Sequence, residues 1–224
     1  MGMKVRNKNN LRIGVDSGGT FTDVVILDGK RLEVRKVPST PHDPSMAVYE
    51  ALLDRLDGQN HLIIHGTTVG TNALLENKGG KIALITTRGF EDVFFIGRQT
   101  RKELYQLEAE PRKYLLSPNL CFGLTERILA GGRVETALDE NELEKIIKVL
   151  KQEQVQAVAV CFLHSYINPE HESLAAQKLT RAGLMVTTSS GLMPEYREFE
   201  RTSTTVINAF LMPVMAGYLG KLED

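Results

Sequence analysis

Residues 11–27, Leu11-Arg12-Ile13-Gly14-Val15-Asp16-Ser17-Gly18-Gly19-Thr20-Phe21-Thr22-Asp23-Val24-Val25-Ile26-Leu27, decide the fold. Leu11 to Val15 is a short apolar strand that ends in Asp16, and Asp23 to Leu27 is a second, rich in Val and Ile. Asp28-Gly29 is a strong hairpin signal, and the alternation from Leu32 to Val37 gives a third strand. A plain hairpin between the first two strands needs only two turn residues. Here two glycines are flanked by Asp, Ser, Thr, Thr and Asp. Glycines let a backbone approach a ligand and aim successive N–H groups at one oxygen. The hydroxyls of Thr20 and Thr22 add donors, and a carboxylate at the end of the first strand suits Mg²⁺, a hard cation that favours oxygen ligands. These parts fit a nucleotide phosphate. A solvated hairpin with ordinary turn residues is the competing reading.

Outward from this stretch the elements alternate. Pro38, Pro41 and Pro44 close the β-β-β unit, and Asp43 offers an N-cap with Pro44 at the first helical position. The helix, with Met46, Val48, Ala51, Leu52 and Leu56 apolar, is predicted to stop at Asp57-Gly58. His61 to His65 reads as a buried-type strand, and Lys81 to Thr86 as another. Residues 99–120 read mostly as loop, broken by Pro111 and Pro118, with Leu124 to Leu129 a strand before Gly131-Gly132. Asp139 and Glu142 make a capping-box-like start to a helix striped by Leu143, Ile146, Ile147 and Leu150. The continuous apolar run Ala157 to Leu163 predicts a fully buried parallel strand. Pro169 opens a helix that ends at Ala182-Gly183, and Leu184 to Thr188 is a further strand. A last helix starts near Tyr196. Its turn Arg197 to Thr205 reads as a solvated face with Arg197–Glu200 and Glu198–Arg201 pairs. The expected class is α/β, a mixed sheet with a β-β-β-α-β start and an inserted or second α/β subdomain. The expected subdivisions are 11–90, 91–190 and 191–224.

The chain has 224 residues, enough to bury roughly 70% of its unfolded surface without staples. Its 27 basic and 28 acidic side chains give a net charge of -1, so no basic surplus points to nucleic acid. Cys121 and Cys161, both in apolar surroundings, make neither a disulfide framework nor a zinc site. They predict buried thiols in a reducing, cytoplasmic setting. No export signal is read at the N-terminus and no run reaches the ~20 apolar residues of a membrane helix, Val206 to Leu219 being interrupted by Asn208, Pro213 and Gly217.

A second polar block, Gly66-Thr67-Thr68-Val69-Gly70-Thr71-Asn72, follows a predicted strand. Ligands of open α/β sheets bind at strand C-terminal ends, which favours contact through Gly66, Thr67, Thr68 and Asn72. Alternatively Thr67 or Thr68 simply caps the next helix. His61 and His65 share a strand face but sit ~13 Å apart, too far to ligate one metal. His65 reads first as a satisfied core residue, and Arg98 and Arg101 as surface groups. No G-x-S-x-G elbow and no G-x-G-x-x-G fingerprint occurs.

The string Asp16 to Asp23 is similar to the first phosphate motif of the ATPase superfamily that includes actin, Hsp70 and the sugar kinases. The blocks His65 to Glu76, Gly89 to Val93 with Ile96 to Gln99, Ala157 to Tyr166, Glu195 to Thr205 and Asn208-Ala209 resemble, in order, the N-terminal region of the hydantoinase A/oxoprolinase family. The resemblance implies a ribonuclease H-like core and an ATP-dependent hydrolase of cyclic amides, hydantoin or 5-oxoproline in type. In it ATP phosphorylates a poorly reactive carbonyl oxygen. The family's ketone carboxylase β-type subunits are the alternative activity, and a non-catalytic interaction module the alternative class.

Carried over, Asp16 is the metal-associated carboxylate. Ser17, Gly18, Gly19 and Thr20 cradle phosphate, Thr22 and Asp23 support the site or face substrate, and Gly66, Thr67, Thr68 and Asn72 complete it. ATP and Mg²⁺ are the implied cofactors. Superfamily members bind ATP between two domains, and the second phosphate and adenosine motifs do not occur in these residues. The resemblance therefore implies a portion of a longer protein, inactive alone, whose partners are a C-terminal domain, a cyclic amide or related carbonyl substrate and a hydantoinase B-type subunit, with neither nucleic acid nor membrane. The apolar surplus of Val206, Ile207, Phe210, Leu211, Met212, Val214 and Met215 predicts packing against a neighbouring domain or a second chain.

Overall fold

Strand β1 (Leu11–Ser17) lies between β2 (Phe21–Asp28), antiparallel to it, and β4 (His61–Thr67), parallel to it. β3 (Arg31–Pro38) pairs antiparallel with β2 through a two-residue turn, which gives a mixed sheet of order β3-β2-β1-β4. Helix α1 (Pro44–Leu52) joins β3 to β4. The computed structural model describes residues 11–40, 43–55, 61–100 and 114–223. The predicted helix end at Leu56 to Gly58, together with Pro41, Arg101 and Pro111, lies outside the described residues. Asp43 caps α1 as its sequence implies, its carboxylate accepting from Ser45 N.

The alternation of β1 puts Leu11, Ile13 and Val15 on one face, where they pack with Val24, Ile26, Val48, Ala51 and Leu52. On the opposite face several apolar side chains meet solvent. Val25, Val34, Leu62 and Ile64 are exposed, Ile64 at 66%. The expectation that His61 to His65 is a buried-type strand is therefore corrected. β4 is an edge strand, and no helix among the described residues covers the open face beside it.

Helix α2 (Val69–Leu75) leads to β5 (Ile82–Thr87), which belongs to a second sheet. Then come α3 (Val93–Ile96), a 3₁₀ turn at Pro118–Leu120, β6 (Cys121–Leu124), and the small ribbon of β7 (Arg127–Ile128) and β8 (Val134–Thr136). Helix α4 (Glu140–Gln152), β9 (Ala157–Cys161), α5 (Glu170–Arg181), β10 (Met185–Thr188), α6 (Ser189–Leu192) and α7 (Glu198–Glu223) complete the chain. The second sheet is wholly parallel, of order β10-β9-β5-β6. Every residue of β5 and β9 is buried, as their continuous apolar runs require.

The chain divides into two compact units, one of residues 1–78 and 214–224, the other of residues 79–213. The expected first boundary near residue 90 thus moves to residue 78, because β5 pairs in the second sheet. The last helix is also divided. Its change of unit falls after Pro213, which has no N–H to continue the helical ladder. Within the second unit Gly79 is needed for close approach, since a Cβ there would lie 2.3 Å from the Phe210 ring.

Other expectations are corrected locally. Leu124 to Leu129 is not one strand. It breaks at Thr125-Glu126, where Thr125 N donates to Glu142 and the Glu126 carboxylate is buried against Thr87 Oγ1 and His171 Nδ1. Asp139 caps α4 through Glu142 N, but Glu142 turns to Thr125 and Arg88 rather than closing a capping box. Arg197 to Thr205 is not a solvated face, because Arg201, Thr202 and Thr205 are buried.

The apolar residues of α7 also find partners within the chain. Val206, Ala209 and Phe210 are buried in the second unit, Tyr218 is buried in the first, and Leu222 packs on the first core. By length and composition alone α7 is long and apolar enough to cross a membrane, although 28% of its most apolar window is buried in the protein and Arg201 lies in its first turns. Cys161 is buried and its thiol is pushed up by burial. Cys121 is half-buried and pushed up to about 12, chiefly by desolvation.

Candidate functional site

The first unit gathers its polar motifs at one end of its sheet. Because β1 and β4 are parallel, their C-terminal ends coincide, and Asp16 pairs with Gly66 and Ser17 with Thr67. Across the sheet at this end the Cα partners run Lys36, Asp23, Asp16 and Gly66, so two carboxylates and one ammonium lie in a row on the open face. Asp16 is exposed. Asp23 is tied to Lys36, whose Nζ donates to its two oxygens at 2.9 and 3.2 Å. Lys36 also sits 5.0 Å over the Phe21 ring. Lys36 was not singled out from the sequence, though counting outward from the two-residue turn after Asp28 places it opposite Asp23.

The loop between β1 and β2 is braced from below. Ser17 and Thr22 are buried, their hydroxyls 3.4 Å apart. Thr22 Oγ1 is 3.0 Å from Ser39 Oγ, which donates to Gly18 O at 2.8 Å, and Ser39 N donates to Thr20 O. Ser17 and Thr22 therefore hold the loop from inside, whereas Gly19 and Thr20 face solvent. Ser39 is a further brace with no signal in the sequence, since it arrives only through the pairing of Phe21 with Pro38. Gly18 N is used by Phe21 O, and a Cβ at Gly18 would sit 3.1 Å from that oxygen. Among the described residues, the N–H groups of Gly19 and Thr20 and the Thr20 hydroxyl have no partner.

The second block joins the first. Thr68 N donates to Ser17 O at 3.1 Å, and Asn72 Nδ2 donates to Thr68 Oγ1 at 3.3 Å. Asn72 Nδ2 lies 3.5 Å from where a Gly19 Cβ would be, and Asp16 Oδ1 lies 3.4 Å from the corresponding point at Gly66. Both glycines thus leave room beside a polar group. The local capping role also exists, because Thr67 Oγ1 accepts from Val69 N, while Thr68 itself makes no side-chain cap. The structure therefore places Asp16, Ser17, Gly18, Gly19, Thr20, Thr22, Asp23, Gly66, Thr67, Thr68 and Asn72 around one end of one sheet.

His65, beside this row, is half-buried with Nε2 2.5 Å from Tyr218 Oη. Burial lowers its pKa, partly offset by the Asp16 carboxylate. Among the described residues no cluster of three or more His, Cys, Asp or Glu could hold a metal. A cation here would have Asp16 as its exposed protein oxygen and would take its other ligands from water and phosphate, as Mg²⁺ commonly does.

Residues 12–183 match the family model described as the hydantoinase/oxoprolinase N-terminal region. An uncharacterized protein of Methanocaldococcus jannaschii is 43% identical over 95% of this chain and 33% of its own length. The caprolactamase subunit alpha of Pseudomonas jessenii is 36% identical over 97% of this chain and 33% of its own. The crystal structure of the ATP-dependent caprolactamase from that organism superposes with a TM-score of 0.80, at 35% identity, over 95% of this chain and 33% of that one. The acetophenone carboxylase gamma subunit of Aromatoleum aromaticum is 34% identical over 95% of this chain and 32% of its own length. The chain thus spans about a third of the length of these relatives.

Proposed function

This chain belongs to the hydantoinase/oxoprolinase family, as its N-terminal region, and from that premise we propose that its first unit holds the phosphates of Mg-ATP in an ATP-dependent enzyme acting on a cyclic amide. The observation that carries the proposal is the convergence of the two polar blocks at the end of β1 and β4. There the Gly19 and Thr20 N–H groups have no partner among the described residues, beside the exposed Asp16 carboxylate. Free N–H groups on a braced loop suit an oxyanion, because they are already oriented and lose no internal bond when they bind it. Bound Mg²⁺ would neutralise phosphate charge, held through Asp16 directly or through water.

Ser17, Thr22 and Ser39 act here as positioning residues, since their hydroxyls fix the loop rather than face solvent. Lys36 neutralises Asp23 at the same end of the sheet, which leaves Asp16 as the carboxylate of the row without an ion-pair partner among the described residues, free to face a cation. The chemistry inferred from the family is transfer of the γ-phosphoryl group to a lactam carbonyl oxygen. That releases ADP and turns a poor leaving oxygen into a good one. A ketone carboxylase subunit is the second reading, favoured by the acetophenone carboxylase relative.

The test is ADP release by the whole protein. The proposal expects release that depends on a cyclic amide and falls by at least about tenfold with Asp16→Ala. Release that needs bicarbonate and a ketone instead would move the assignment to the carboxylases. Release untouched by Asp16→Ala would remove the proposed site.

A further inference from the structure

Two rows of residues cross the open face of the first sheet. Following the Cα partners from β3 through β2 and β1 to β4, one row is Leu32, Leu27, Arg12 and Leu62. The next is Val34, Val25, Gly14 and Ile64, and the polar row that holds Asp16 follows it. Six of these eight residues are Leu, Val or Ile, and all six but Leu27 are exposed. Gly14 leaves a hollow between Val25 and Ile64, since a Cβ there would meet nothing nearer than Val25 O at 4.0 Å. Scattered exposed apolar residues are ordinary, whereas contiguous rows of them mark a surface that another element covers. The other face of the same sheet shows the arrangement, because there Val48, Ala51 and Leu52 of α1 pack with Ile13, Val24 and Ile26.

The size of the face selects its occupant. Strands about 4.8 Å apart and side-chain rows about 7 Å apart give the two rows roughly 300 Å². That matches three turns of one helix, about 16 Å long and 10 Å wide. It falls well short of the ~800 Å² per partner that a stable complex of separate chains buries. A surface this small holds its occupant firmly when both belong to one polypeptide, because the tether supplies a high effective concentration. The relatives are about three times as long as this chain and so contain residues from which such a helix can come. Charge narrows the choice further. Arg12 is exposed within the first row and has no ion-pair partner among the described residues. A covering helix with a carboxylate facing Arg12 pairs that charge, whereas a wholly apolar helix would desolvate it unpaired.

We propose that the open face of the first sheet seats one amphipathic helix, supplied by the part of a family-length polypeptide that lies outside the region matched here. Its apolar stripe covers Leu32, Val34, Val25, Leu62 and Ile64, and a Glu or Asp within the stripe meets Arg12. The Asp16 row stays clear of the helix, so this docking neither needs the phosphate reading nor fails with it.

The test compares maleimide labelling of Ile64→Cys and of Val34→Cys in two settings, each read against the protein without the added thiol. One is this chain alone, and the other is a hybrid in which this chain replaces the matched third of the Methanocaldococcus jannaschii relative. Labelling should be at least tenfold slower in the hybrid, and Arg12→Glu should speed it there at least threefold. Equal rates in the two settings would overturn the occupant. Protection in this chain alone that grows with protein concentration would give the face to a second copy and overturn it too. A methyl NMR titration of this chain decides the matter should the hybrid fail to fold. Its probe is a 14-residue cross-linked helix of Ala and Lys with a Leu stripe that contains one Glu. Saturable shifts are expected at Val25, Val34, Leu62 and Ile64, lost in Ile64→Lys and at least threefold weaker when the peptide's Glu is replaced by Lys. No shift at these methyls would overturn the helix site, and equal affinity for the two peptides would overturn the carboxylate that meets Arg12.

Discussion

The two sheets of this protein follow opposite logics. The second is parallel, and its central strands β5 and β9 are buried throughout. The first is mixed, packs one face on α1, and leaves Val25, Val34, Leu62 and Ile64 exposed on the other. Polar chemistry differs in the same sense. In the second unit the carboxylates of Glu126 and Glu172 are buried and fully engaged, Glu172 accepting from Phe162 N, Ser189 Oγ and Ser190 N. In the first unit Asp16 and the N–H groups of Gly19 and Thr20 stand open. Buried polar groups must find partners within the fold, whereas groups at an open edge are free to meet a ligand.

The comparison breaks most readily at Glu172. Glu172→Ala strips acceptors from two backbone N–H groups and a hydroxyl, and should destabilise by about 4 kcal/mol in urea unfolding. A loss below about 1 kcal/mol would mean that the network is not structural. A matched pair of truncations comes next. Ile85→Ala, in the 0% exposed centre of the second sheet, should cost about 3 kcal/mol, whereas Ile64→Ala, 66% exposed on the first, should stay within about 0.5 kcal/mol. Equal costs would show that the first sheet's open face is covered in solution.

A pH series sharpens the same contrast more gently. Burial lowers the His65 pKa from 6.5, so the folded state holds this imidazole neutral while the unfolded chain protonates it. Stability is therefore full above about pH 6.5 and declines as pH falls from there towards the lowered folded value. Urea midpoints at pH 7.5 and 5.5 should differ in that direction, and His65→Gln should reduce the difference. An unchanged difference would assign the effect elsewhere. The depressed carboxylates of Glu33, Asp43 and Asp54 act only at lower pH, near and below their ordinary 3.8 to 4.5.

Much of this was legible in the sequence, for identifiable reasons. The hairpin signal at Asp28-Gly29 marked the β2–β3 connection, although the turn residues are Gly29 and Lys30, Asp43-Pro44 announced α1, and the run from Ala157 identified a strand buried on both faces. The polar blocks at Asp16 to Asp23 and Gly66 to Asn72 stood out because the turns there contain more polar residues than connection requires. What was hidden depends on contacts distant in sequence. Leu62 to Ile64 looks like a core strand until its position at a sheet edge is known. Arg201 looks like one half of a helical surface pair, since spacing cannot show that Ser165, Ser189 and Phe162 O converge on it. Glu126, Glu172 and His171 read as ordinary polar residues, because nothing local marks a carboxylate for burial. Ser39 reaches the phosphate loop only through the strand register.

The central claim is that the Asp16 end of the first sheet is a phosphate site, and calorimetric titration of the protein with Mg-ATP tests it most directly. The account predicts saturable binding that weakens at least tenfold, about 1.4 kcal/mol, in Asp16→Ala and again in Gly19→Val, which sets a branched side chain beside the Gly19 and Thr20 N–H groups, with both variants folded. Mg-ATP binding of equal strength in the protein and in both variants would contradict it.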